Sequence, residues 1–230
     1  MLFTTLLVSM LETAIATFVA SRARTARAAQ LFVGLMLALI LLTIIPLLRM
    51  STTNTTVIYA LTTVSRVALG SFDLLLLLVL SDLFIPQWWN NRRVVGWISL
   101  PYVLAIALIA SDAIGQFGLL VNGIIVRDND YTFQSVQPGA GLMLSLFAVS
   151  WLPHIAILVY TFLRVPANRR AIGVLLMALV FMMALGVMEA VLNISSLVGS
   201  TVRIVPLMAA LGYVVVFTQL IVPLQTAFER

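Results

Sequence analysis

The sequence predicts an all-α membrane protein: one seven-transmembrane-helix bundle over residues 1–230, with its N-terminus outside and its C-terminus cytoplasmic. Three observations predict it. Apolar residues make up 62% of the 230 and charged residues only 9%, too few charges to cover the surface of a soluble domain. Apolar runs of about 20 residues recur along the chain, the length that crosses about 30 Å of hydrocarbon. The third observation is the arginine pattern. Nine arginines (22, 24, 27, 92, 93, 164, 169, 170 and 230) fall in alternate breaks or at the end of the chain. The opposite breaks hold only Arg49, Arg127 and Arg203, and Arg66 lies inside a span. Basic residues stay on the cytoplasmic side, which sets the orientation.

The elements follow in order. Span one, residues 2–20, carries Glu12 at its centre and is followed, not preceded, by its basic cluster. That order marks an uncleaved anchor rather than a leader peptide. Span two covers residues 31–48 and ends at Arg49. Span three covers 57–84, and Pro86 stops it. Trp88, Trp89 and Trp97 flank the next basic break, as Tyr160 and Phe162 precede the one after span five, and both groups suit an aromatic belt at the membrane interface. Span four covers 94–110 and is closed by Asp112. A long outer loop, 111–138, contains Asp128, Asp130 and Tyr131. Residues 121–126 are expected as a short strand there, with Asn122–Gly123 as a turn. Long ordered loops serve as lids or docking surfaces, or simply cover the bundle. Span five, 139–163, is broken by Pro153; span six covers 171–192. Span seven, 204–222, runs into a helix-compatible tail ending at Arg230.

Composition removes several chemistries. There is no Cys, which excludes disulfides and thiolate metal sites. There is no Lys, so covalent retinal is excluded despite the seven-helix size: a Schiff base needs a Lys amine. A single histidine, His154, excludes bis-His haem, and no cofactor or metal site is expected. No phosphate loop or nucleophile motif is present, so the chain reads as a non-enzyme. The net charge of +5 belongs to topology and lipid contact, not to nucleic acid.

Ionisable residues at membrane depth must face the bundle interior and find partners. Tyr59, Thr62, Arg66, Gly70 and Asp73 recur at spacings of three or four and share one face of span three. Arg66 and Asp73 stand about 10 Å apart along the axis, too far to pair directly. Span six carries Glu189 and Asn193 on one stripe, and span one carries Ser9 and Glu12. Glu12, Arg66 and Glu189 are expected to gather in the outer half of the bundle. Such a cluster either lines a ligand cavity or is an interhelical ion pair that fixes packing. Pro153 and His154 form either a hinge with a proton sensor or a packed kink.

The aromatic stretch Tyr131–Thr132–Phe133 leads to Pro138–Gly139 before span five. A basic loop, residues 164–170, precedes span six. Asn193 ends span six, and Val205–Pro206–Leu207 opens span seven. With the seven-span layout and the cytoplasmic exit, these features resemble the N-terminal seven-transmembrane sensor region of bacterial histidine kinases. The resemblance covers nearly the whole chain. It implies a multi-pass protein of the bacterial inner membrane and an input module of two-component signal transduction. Span seven would then pass a stimulus to a cytoplasmic signalling domain or protein. No phospho-accepting helix or ATP-binding domain lies within these residues. The lipid bilayer is the other expected partner, and a homodimer is one permitted assembly. Two other readings stay open: an accessory subunit of a membrane complex, and a small proton-coupled transporter using Arg66, Asp73 and Glu189.

Overall fold

The computed structural model describes residues 2–22, 27–115, 123–127, 130–134, 139–165, 169–192 and 209–211. Six long helices account for most of them: α1 (Leu2–Arg22), α2 (Arg27–Met50), α3 (Thr55–Phe84), α4 (Arg92–Gly115), α5 (Gly139–Arg164) and α6 (Arg169–Leu192). Of span seven only a helical turn at 209–211 is described. Asn54 starts α3: its side-chain oxygen accepts from the backbone N–H groups of Thr56 and Val57, at 3.0 and 3.4 Å. That cap satisfies donors a helix end leaves open. Ile85 ends α3, and Pro86 opens a 3₁₀ turn (Pro86–Asn90) that leads into α4. Proline suits that position because its missing N–H would have had no partner there.

The 30 residues of α3 make it the hub. It packs on α2, α4 and α5, while α1 lies on α2 and α6 on α5. Phe32, Leu35, Met36 and Leu39 of α2 meet Phe72, Leu76, Leu77 and Leu80 of α3 in the core, and all are essentially inaccessible. Leu158 of α5, Ile172 of α6 and Leu211 join the same cluster. Ala16, Ala29, Ala38, Ala68, Ala171 and Ala178 are buried between them; small side chains let helices approach closely where dispersion is the main attraction. The outer faces are as apolar as the core. Met10, Trp97, Leu163 and Met177 are each at least 65% exposed. Water would penalise such a surface, whereas lipid solvates it. Arg27–Arg49, Thr55–Phe84 and Arg92–Asp112 are long and apolar enough to cross a membrane, and Leu6–Ser21 is a shorter apolar helix.

Hydroxyls inside the helices bond to their own backbone. Thr13, Thr43, Thr62 and Thr161 each donate to the carbonyl four residues earlier, at 2.7–2.9 Å. In lipid there is no water to take those protons.

Several expectations are corrected. The outer loop is shorter than 111–138, because α4 continues to Gly115 and Asp112 is a buried helical residue. The strand expected in that loop is present at Gly123–Arg127, with a second strand beside it. Strand β1 (Gly123–Arg127) pairs antiparallel with β2 (Asp130–Gln134), from Gly123 opposite Gln134 to Arg127 opposite Asp130. Gly123 is therefore a paired strand residue and not half of a turn. The chain reverses between Arg127 and Asp130, where Asp128 and Asn129 lie outside the described residues. Pro46 lies inside α2 and Pro101 inside α4, as Pro153 lies inside α5. Arg49 is no loop residue. It ends α2 in the bundle, 8% exposed, and its Nη1 donates to Thr62 Oγ1 on α3 at 3.3 Å.

Candidate functional site

A cavity of about 660 Å3 lies between α3, α4 and α5, floored by the 3₁₀ turn. The volume falls within the range of small-molecule sites. Each wall follows from helical spacing. Arg66, Leu69, Gly70 and Asp73 face it from α3, an i, i+3, i+4, i+7 stripe. Trp97, Pro101, Tyr102 and Ala105 face it from α4, and Ser150, Pro153, Ile157 and Tyr160 from α5. Ile85, Gln87 and Trp88 close one end. Trp97 and Tyr160 are 74% and 52% exposed, and α4 touches α5 little. Among the described residues the cavity thus opens sideways, between α4 and α5.

Its polar wall ties three helices together. The Tyr102 hydroxyl on α4 donates to the carbonyl of Ser150 on α5 at 2.5 Å. His154, one turn further along α5, places Nδ1 2.8 Å from that same carbonyl and Nε2 2.8 Å from the backbone carbonyl of Asp73 on α3. Both facing atoms are acceptors. A neutral ring donates to one of them, an imidazolium to both. The ring is fully buried, tilted against Trp151 at 5.5 Å between centroids and edge-on to Tyr102 at 6.0 Å. Pro153 explains how side chains reach into this turn of α5. It lacks the N–H that would bond the carbonyl four residues back, and its ring opens the preceding turn.

Asp73 is 4% exposed. The Ser150 hydroxyl donates to its Oδ2 over a long 3.4 Å, and among the described residues its Oδ1 has no hydrogen-bond partner. Arg66, two turns away along α3, sits in the electrostatic field of Tyr59, Asp112 and Arg49. Gly70, between them, sets the helix spacing: a Cβ there would lie 2.8 Å from Cγ1 of Ile106 on α4.

The structure divides the residues singled out from the sequence. Asp73, Pro153 and His154 come together, with Arg66 on the same cavity. Glu12 does not join Arg66. It is fully buried against α2, where its Oε1 lies 3.1 Å from Thr43 Oγ1, because the Glu12 stripe of α1 faces α2 and not α3. Glu189 lies in α6, but its side chain is outside the described residues, as are Asn193 and Asp128. Asp130 and Tyr131 are paired residues of the hairpin. Charge and motif patterning do not single out Tyr102 and Pro101. The signal was present: Pro101–Tyr102 in α4 and Pro153–His154 in α5 each set a polar ring directly after a mid-helix proline. Asp82 accepts from Arg27 Nε at 2.8 Å, and the Arg27 guanidinium lies 4.2 Å from the Trp89 ring centre.

Fold and site together define a class: a polytopic helical membrane protein with a cavity bounded by three linked helices. Residues 2–222 match the family described as the N-terminal 7TM region of histidine kinase. The chain belongs to that family, whose members are the non-catalytic sensor regions of those kinases. No curated protein matches it.

Proposed function

We propose that this chain is the input module of a bacterial inner-membrane signalling protein. Seven spans run with the N-terminus outside and the C-terminus in the cytoplasm. A stimulus reaches the cavity between α3, α4 and α5 and changes how those helices pack. Span seven passes the change to a cytoplasmic histidine-kinase transmitter, in the same polypeptide or in a partner. Family membership over residues 2–222 carries this reading. The linked wall supports it, because the Tyr102–Ser150 and His154–Asp73 contacts join α4, α5 and α3 at one level. A ligand that binds better to one packing shifts the ratio of the two. The burial of Arg49 inside the bundle supports the orientation, since it removes one of the few basic residues from the opposite loops.

The test is autophosphorylation of the histidine kinase that contains or pairs with this chain, reconstituted in lipid. Tyr102→Phe removes one interhelical bond and keeps the ring. A bond worth roughly 0.6 kcal/mol shifts a two-state ratio by about threefold. A change of that order in basal autophosphorylation is expected. Unchanged output in both Tyr102→Phe and His154→Gln, at normal abundance, counts against the reading.

A further inference from the structure

We infer that the cavity between α3, α4 and α5 binds an apolar alcohol: a long hydrocarbon body with one hydroxyl, which enters sideways from the bilayer and bonds to the Asp73 carboxyl. This names the ligand class for the site and rests on the sensor reading only for what binding then does.

The observations converge on the carboxyl. Asp73 is nearly inaccessible, lines the cavity and has one oxygen without a hydrogen-bond partner among the described residues. An unmatched polar atom at such depth is costly, and a donor from a ligand removes that cost. Among the described residues its other oxygen has the 3.4 Å contact from Ser150, long for a hydroxyl donor. The Tyr102 hydroxyl beside it spends its proton on the Ser150 carbonyl and offers lone pairs to a second donor. A hydroxyl fits this wall because it both donates and accepts, and so pairs with a carboxyl in either protonation state.

The rest of the cavity selects the body. Leu69, Ala105, Ile109 and Ile157 are apolar, and Trp97 and Tyr160 stand at the open flank. Arg66 lies on the same cavity about 10 Å along α3 from Asp73. A head group seated on Asp73 meets the carboxyl and not the guanidinium. An ammonium pairs only with the ionised carboxyl and a carboxylate only with the protonated one, whereas a hydroxyl pairs with both.

The experiment uses the 230-residue chain in phosphatidylcholine nanodiscs. The probe is a diazirine-bearing dodecanol, with the matched methyl ether, dodecanoate and dodecylammonium as comparison probes, and labelled peptides are mapped by mass spectrometry. The alcohol is expected to label the cavity-facing stripes of α4 and α5 saturably. Dodecanol should compete, and the ether should not. Competition by dioleoylglycerol in the nanodisc would mark a membrane lipid as the source, and competition by dodecanol alone a free alcohol; either supports the site. Asp73→Leu removes the hydrogen-bonding carboxyl and should lower labelling about tenfold, the loss of one hydrogen bond to a charged or buried partner. Ala105→Phe fills the cavity from α4 and should lower it comparably; it decides the matter if Asp73→Leu does not fold. Equal labelling by alcohol and ether, preferred labelling by either charged probe, or full labelling of folded Asp73→Leu overturns the proposal. Labelling requires no signalling output. Its loss therefore sinks the ligand and leaves the sensor reading intact. Bound alcohol with unchanged kinase output does the reverse.

Discussion

His154 on α5 reaches across to α3 and sets its Nε2 2.8 Å from the backbone carbonyl of Asp73. The contact is to the main chain, so the position of α3 relative to α5 is fixed whatever the Asp73 side chain does. The carboxyl beside it stays available while the backbone behind it is held. On its other side the ring lies against the Ser150 carbonyl, which also accepts from Tyr102. One imidazole thus sits where three helices are joined, and it is reached by no solvent.

Replacing His154 therefore should loosen the α3–α5 contact more than an ordinary buried substitution. His154→Phe keeps the bulk against Trp151 and Tyr102 but removes both polar contacts. Interhelical hydrogen bonds in membranes average roughly 0.6 kcal/mol, so a loss of about 1–2 kcal/mol is expected. His154→Gln, which keeps an amide donor, should lose less. Unfolding of the two variants in mixed micelles measures the difference, and equal stability would show that the ring acts by packing alone.

Gly70 supplies a second, purely steric prediction. Gly70→Ala drives a methyl to within 2.8 Å of Ile106 Cγ1 and should push α4 off α3. Overpacking of this kind costs about 1–3 kcal/mol. Ile106→Ala made together with it should restore most of the loss, and a double-mutant cycle reads the coupling directly. Additive costs would mean that α4 is not seated on Gly70.

The six long helices were legible in the sequence because spans one to six are long apolar runs bounded by Arg, Pro or Asn; span seven lies outside the described residues except at 209–211. Their ends differ from the expected ones by a few residues, where helices extend past the apolar run. Which face meets which neighbour was not legible. Asp73 and His154 were both visible as costly residues at membrane depth, yet periodicity cannot show that α3 packs on α5. Glu12 and Arg66 match in depth, but depth says nothing about azimuth; the neighbour of Glu12 is Thr43. Ser150 takes part chiefly through its carbonyl, a group every residue has and no side-chain motif can announce. In the hairpin, Asn122–Gly123 looked like the turn because that pair suits one. Strand pairing instead places the reversal past Arg127.

At the other end of the cavity, Arg27 and Asp82 join the start of α2 to the last turn of α3, and Trp89 of the 3₁₀ turn stacks beneath the guanidinium. The Arg27 side chain is 52% exposed, so solvent screens the pair and its worth is about 0.5–1 kcal/mol. Asp82→Asn should cost that much and lose its effect in high salt. Trp89→Leu should cost a similar amount that salt does not remove. A salt-insensitive Asp82→Asn would point to packing rather than charge.

Orientation gives the last prediction. If the arginine bias sets topology, the Arg27–Asp82–Trp89 end faces the cytoplasm and the β1–β2 hairpin faces outward. Alkaline phosphatase inserted between Arg127 and Asp130 should be active, because the enzyme matures only outside the cytoplasm. The same enzyme fused after Arg230 should be inactive, and a fluorescent protein fused there should glow. Converting Arg92, Arg93, Arg164, Arg169 and Arg170 to Gln removes most of the bias and should produce mixed orientations. The reverse pattern of activities would invert the bundle and place the signalling exit on the wrong side for a cytoplasmic transmitter.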